Sequence, residues 1–203
     1  MRNKPSVTVG VLADTHLPYR LAALPPQIFD VFSGVDLILH AGDVDEARYL
    51  RPLARLAPVH AVRGNVHLGD RSWGGRELPV EVQLTLATRQ VVMTHGHRPG
   101  ALGWAFKIPE IIRSAIFSRG DDVLNREAVK RLRKRYPRAE VVVFGHTHVV
   151  YCRAIGRTLF FNPGAVVPTR NRVASVGLLR LQPDTIEVEI IPLGRGERRR
   201  CSF

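Results

Sequence analysis

Val7-Thr8-Val9-Gly10-Val11-Leu12-Ala13-Asp14-Thr15-His16 decides the fold. Its first seven residues are apolar, β-branched or small, with no helical stripe, and read as a buried strand. The Asp-x-His that follows sets a carboxylate and an imidazole at the strand's carboxyl end. The same construction recurs four times: residues 35–39 run into His40-Ala41-Gly42-Asp43, 59–62 into Arg63-Gly64-Asn65, 91–93 into Thr94-His95-Gly96, and 141–144 into Gly145-His146-Thr147-His148. Five strand ends thus present metal-ligand types to one crevice, where open α/β sheets place their sites.

Working outward, strands near 6–13, 35–40 and 58–63 alternate with helices near 25–33 and 45–55, a βαβ pattern that implies parallel pairing. Strands near 80–87 and 90–94, a helix near 125–136, and strands near 149–155, 158–161, 173–181 and 185–191 follow. The last group alternates, as in Thr185-Ile186-Glu187-Val188-Glu189-Ile190, and is expected to form an antiparallel sheet with one wet face. The fold class is α/β: two packed mixed sheets flanked by helices in a four-layer α-β-β-α sandwich. Residues 1–193 read as one domain, 99–123 as a helical insertion, and 194–203 as a basic, disordered tail. For the insertion, a helix packed on the core competes with a cap over the crevice or a self-association surface.

The donor types define the chemistry. Asp14 and Asp43 supply hard oxygen, and the imidazoles suit Mn²⁺, Fe²⁺, Zn²⁺, Co²⁺ or Ni²⁺. Cysteine is absent from the series, which argues against a structural zinc finger or an iron–sulfur centre. The chain also lacks G-x-S-x-G, G-x-G-x-x-G and G-x-x-x-x-G-K-[ST]. Alternative structural duties exist for each donor: Asp14 as a turn cap, Asp43 as the N-cap of a helix starting near Glu46. His40 reads as a packed group behind the site, and His60 as part of a strand.

The ordered series resembles the calcineurin-like metallophosphoesterase superfamily, whose blocks run D-x-H, G-D, G-N, H and G-H-x-H. Its small single-domain bacterial and archaeal phosphodiesterases share the wording Leu12-Ala13-Asp14-Thr15-His16, His40-Ala41-Gly42-Asp43-Val44, His95-Gly96-His97 and Asn162-Pro163-Gly164-Ala165. The resemblance implies Asp14, His16, Asp43 and His148 around one metal ion and Asp43, Asn65, His95 and His146 around a second, with Asp43 shared and two Mn²⁺ ions the expected cofactor. It implies a phosphodiesterase in which a metal-bridging hydroxide attacks phosphorus in line, so Asp43 and Asn65 are expected to be catalytic as well as ligating.

Three residues beside those blocks stay open. His97 is either a phosphate-contacting or a merely structural histidine. Asn162 is mainly turn chemistry. His67 stands where small relatives carry an Asp, two residues after Asn65, and reads equally as a general acid or as a loop residue without a role.

The formal charge of +12 would draw an anionic partner, a phosphodiester or nucleotide before a nucleic acid. Yet Arg supplies 26 of the 30 cations, a bias that genomic composition can explain, and Lys130-Arg131-Leu132-Arg133-Lys134-Arg135 reads as a solvated helix face. Aromatic residues that would serve single-strand binding are scarce. The charge keeps a nuclease as one alternative. Another is a protein-interaction scaffold, since the superfamily includes a small scaffold of the retromer complex whose metal-site pattern is degraded. No apolar run suits a membrane span or a signal peptide, and Cys152 and Cys201 do not suggest a disulfide framework. A reducing cytoplasm is the expected location, with self-association left open.

Overall fold

The computed structural model describes residues 5–65, 69–97, 121–169 and 172–203. Two mixed sheets stack face to face. In the first, β11 (Arg199–Ser202), β10 (Ile186–Pro192), β9 (Ser175–Leu181), β1 (Val7–Leu12), β2 (Leu37–His40) and β3 (Val59–Ala61) lie side by side in that order; in the second the order is β4 (Glu81–Leu86), β5 (Arg89–Thr94), β6 (Val141–Val143), β8 (Thr158–Asn162) and β7 (Tyr151–Ile155). Strands β1, β2 and β3 pair in parallel. In the second sheet β5, β6 and β8 are parallel neighbours, with β4 and β7 antiparallel at the edges.

Three apolar layers hold the four-layer order. Val9, Val11, Leu39, Val141, Phe161 and Leu179 belong to the layer between the sheets. Phe32 and Ile28, from α1 (Gln27–Val31) and the turn after it, cover the outer face of the first sheet with Leu50 and Leu53. Ala128, Val129 and Leu132 of α2 (Asp121–Arg135) cover the second through Val142, Phe144 and Phe160. The runs of β2 and β6, and all of β1 but Thr8, are therefore buried on both faces, as central parallel strands require, whereas β3 at the sheet edge is half-buried.

Several expectations change in detail. The segment Ala47–Arg55 winds as a 3₁₀ helix, with Pro52 inside it and so one backbone N–H fewer for helical pairing. Asp43 does not cap it. Asp70 accepts from the Ala47 N–H at 2.7 Å and Ser72 Oγ from the Arg48 N–H at 2.8 Å. The late strands do not make a sheet of their own: β7 and β8 join the second sheet, while β9 (Ser175–Leu181) and β10 (Ile186–Pro192) extend the first beyond β1.

The expected disordered tail is corrected as well. Arg199–Ser202 forms β11 on the edge of β10. The charge run suggested solvation, but Arg198 and Arg200 both reach the buried carboxylate of Glu189 at 3.4 Å, and Phe203 exchanges backbone hydrogen bonds with Ile186. Most of the 99–123 insertion lies outside the described residues, as does His67. Among the described residues no helix is long and apolar enough to cross a membrane.

Candidate metal centre

Both sheets point the carboxyl ends of their parallel strands at one crevice. The first sheet delivers Asp14 and His16 after β1, Asp43 after β2 and Asn65 after β3; the second delivers His95 and His97 after β5, and His146 and His148 after β6. All seven expected metal donors come together there, with His97 beside them.

Asp43 lies between two groups of donors. Its Oδ2 is 3.3 Å from His95 Nε2 and 3.8 Å from His16 Nε2. Asp14 Oδ1 is 3.5 Å from His148 Nε2 and 4.0 Å from His95 Nε2. The His95 and His146 rings stand edge to face with centroids 5.1 Å apart, and the His97 ring is 5.4 Å from His95. Donor atoms of Asp14, His16 and His148 converge within 4.8 Å of one another, as do those of Asp14, Asp43 and His95.

The backbone bends sharply to achieve this. Asp14, His16, Asp43, His146 and His148 all have positive φ, between 45° and 72°. The left-handed conformation costs a residue with a Cβ roughly 1–2 kcal/mol, and clusters of such residues mark functional sites. Glycines make the room. A Cβ on Gly64 would lie 1.7 Å from Asp43 Oδ1, and one on Gly42 2.6 Å from His95 Nδ1. The Gly-Asp and Gly-Asn pairs are thus sterically obligatory, because a neighbouring donor occupies the space of the missing side chain.

The donor set fits divalent metal ions. His16 Nε2 is buried without a hydrogen-bond partner among the described residues. Asn65 Oδ1 sits 3.1 Å from His95 Nε2 and faces the Asp43 carboxylate, so oxygen and nitrogen donors converge where a cation would satisfy them. Turned over, the Asn65 amide instead donates to Asp43 Oδ2 at 2.9 Å. Nitrogen and oxygen without sulfur matches borderline first-row cations.

Charge is divided unevenly across the crevice. Burial pushes the Asp14 carboxyl up to about 8, against the opposing pull of His95. Burial also favours protonation of Asp43, but His95, His16 and His146 outweigh it and hold this carboxylate well below its ordinary range. His95 is the reciprocal case: burial disfavours its charge, yet Asp43 and Asp14 raise it to about 9. Burial lowers His16, and together with neighbouring imidazoles it lowers His148 to about 3 and His97 to about 4.

A second set of residues orients these donors, and most escape sequence reading. His95 Nδ1 donates to the Ala41 carbonyl at 2.8 Å, aiming Nε2 at the crevice. Asp45 Oδ1 lies 3.5 Å from His16 Nδ1; the second acid of Gly42-Asp43-Val44-Asp45 was the signal for it. His40, lowered by burial to about 3, accepts from the Gly42 N–H at 3.2 Å and meets Thr15 Oγ1 at 3.0 Å, which settles it as a group behind the donors. Asn162 donates to the Gly145 carbonyl and to Thr147 Oγ1, both at 3.0 Å, and Thr147 donates to Asn125 of α2 at 2.8 Å. Asn162 therefore fixes the loop that bears His146 and His148. Nothing local in the sequence marks Asn125 for this. Arg131, expected on a solvated face, reaches back to the Gly96 carbonyl at 3.0 Å.

A crevice of this donor composition at the carboxyl ends of a two-sheet α/β sandwich defines a metal-dependent phosphoesterase. The calcineurin-like phosphoesterase superfamily domain matches residues 7–184, and the chain belongs to that superfamily. It is 32% identical over 195 residues to a probable metallophosphoesterase of Methanothermobacter thermautotrophicus, covering 96% of this chain and 98% of the relative. It is 30% identical over 188 residues to one of Methanocaldococcus jannaschii, covering 93% and 82%. In fold it is similar to wild-type Vps29 of Entamoeba histolytica complexed with Zn²⁺, with a TM-score of 0.69, 22% identity and coverage of 97% and 98%.

Proposed function

We propose that this chain is a dinuclear metal-dependent phosphodiesterase, with Asp14, His16, Asp43 and His148 holding one ion, Asp43, Asn65, His95 and His146 the other, and Mn²⁺ the preferred metal. The observation that carries the reading is Asp43 Oδ2 set between His16 Nε2 and His95 Nε2, at 3.8 and 3.3 Å, with further donors beyond each imidazole. Two divalent ions bound there would polarise the phosphoryl oxygens and lower the pKa of the attacking water.

The remaining chemistry falls to the chain's own side chains. Asp43 stays a carboxylate throughout the physiological range because cationic and imidazole neighbours hold it so. His97, neutral near pH 7, has a buried Nδ1 with no hydrogen-bond partner among the described residues, suited to a phosphoryl oxygen. The charge of Arg20 reaches Asp14, His16 and His148 and would draw an anionic ester to that side. Preference for diesters rests on the wording shared with the small phosphodiesterases, and His67 is assigned to the leaving group on its position after Asn65.

The test is hydrolysis of bis-p-nitrophenyl phosphate by chelator-stripped protein with Mn²⁺ added back, comparing wild type with Asp43→Asn. Asn tolerates the left-handed backbone at this position, so the change removes charge and leaves the turn. Turnover is expected to require Mn²⁺ and to fall on the order of 10³-fold in the variant, as loss of several kcal/mol of charge stabilisation implies. Metal bound without turnover of any phosphate ester would overturn the enzyme reading in favour of the scaffold.

A further inference from the structure

Cys152 and Cys201 are the chain's two cysteines, and strand register turns both toward the same space. On β7, Cys152 stands opposite Phe161 of β8; on β11, Cys201 stands opposite Val188 of β10. Phe161 and Val188 both lie in the apolar layer between the sheets, and Cys152 packs against it. Directly opposed residues of antiparallel strands project to one face. Each thiol therefore leaves its own sheet on the side that faces the other sheet.

Stacking brings the two strands to the same margin. Gly177 of β9 lies beneath the Phe161 ring of β8, so closely that an added Cβ would be 2.3 Å from Phe161 Cζ. One strand outward from β8 is β7, and outward from β9 through β10 is β11. Both end their sheets on this side. The two thiols lie near enough for Cys201 to act on Cys152, and both are free with partial exposure.

We propose that Cys152 and Cys201 are a disulfide-forming pair that staples the C-terminal edge strand of one sheet to the edge strand of the other. The oxidant is a small-molecule disulfide such as oxidised glutathione. Exchange opens at Cys201, because burial first, and the contact with Cys201 second, push the Cys152 thiol up and disfavour its thiolate. The Cys201 thiolate attacks one sulfur of the oxidant and expels a glutathione thiolate, leaving a mixed disulfide. Cys152 then attacks the Cys201 sulfur; the Cys201–glutathione bond breaks, and the proton of Cys152 passes to the departing thiolate. Two protein thiols are oxidised and one glutathione disulfide is reduced to two thiols.

The consequence concerns β11, which β10 alone holds by strand pairing among the described residues. Closure ties this strand across the sandwich and constrains the unfolded chain over the whole stretch between the cysteines. The crevice lies beyond the strand ends and contributes no atom to the pair, so the inference stands apart from the phosphoesterase reading.

The experiment treats the full chain with oxidised glutathione, quenches with an alkylating agent, and maps non-reduced peptides by mass. A Cys152–Cys201 cross-linked peptide without attached glutathione is expected, together with a Tm rise of roughly 5–10 °C that dithiothreitol reverses. Cys201→Ser, on the edge strand, should make Tm insensitive to the oxidant. A glutathione adduct stranded on Cys201 beside a reduced Cys152, two unreacted thiols, or a cross-link between two chains would each overturn the proposal.

Discussion

Val9, Leu179 and Phe161 between the sheets are as completely buried as Asp14 and His95 in the crevice, yet the two regions are held by opposite means. Between the sheets the backbone is regular strand and the side chains are apolar, so burial itself stabilises. In the crevice the same degree of burial penalises every charge, and of the seven non-glycine residues with positive φ among those described, five are expected metal donors. The rigid interior holds residues in place that would relax if left to themselves. The interior is constrained by volume, whereas the crevice is constrained by the position of individual atoms.

The largest effect should come from breaking a position without touching volume elsewhere. Gly64 does not adopt a left-handed φ, so alanine there is disfavoured solely by its Cβ, 1.7 Å from Asp43 Oδ1. Displacing one donor by about an ångström costs activity on the order of 10²- to 10³-fold. Gly64→Ala should therefore lose metal-dependent turnover by that factor while keeping a cooperative melt. Retained turnover would show that Asp43 is not held where the chemistry needs it.

Leu179→Ala is the counterpart between the sheets. Leu179 is fully buried, and truncation leaves a cavity costing about 2–5 kcal/mol. Urea melts should show that loss, while kcat per folded molecule stays unchanged. A fall in kcat would mean that the interior positions the donors more finely than its packing role implies.

The two regions also differ in how plainly the sequence announces them. Asp14, His16, Asp43, Asn65, His95, His146 and His148 each follow an apolar run that marks a strand, and a strand end is a place that a local pattern can specify. Asp70, Asn125 and the Cys152–Cys201 pair have no such local mark. Their roles depend on what another element sets opposite them: the Ala47 N–H for Asp70, Thr147 for Asn125, and the far edge of the sandwich for the cysteines. β11 was illegible for the same reason, since its charge run finds a partner only once Glu189 is in place.

Titration should separate the regions with the smallest effect. The side chains of the layer between the sheets are apolar apart from the Cys152 thiol packed against them, which burial raises, so the pH dependence of metal-free stability near neutrality must come largely from the crevice. Asp14 keeps its proton to about pH 8 in the folded chain, whereas an unfolded Asp loses it near 3.9. Between those values the folded state binds more protons, and stability falls as pH rises. His95, raised to about 9 from about 6.5 unfolded, adds a loss of the same sign between those values. Asp43 acts oppositely: its contribution is present above about pH 3.9 and lost only in stronger acid, because its folded value is depressed. His16, His40, His97 and His148, all lowered, also act oppositely, but only up to about pH 6.5, where the unfolded imidazoles lose their protons. The chelated protein should therefore melt several degrees lower at about pH 9 than at about pH 7.5, where only the falling contributions remain. Metal binding requires the deprotonated donors, so added Mn²⁺ should raise Tm more at the higher pH. A chelated Tm that is flat or rises over this interval would mean that Asp14 and His95 do not hold these protons, and that the crevice is open to water.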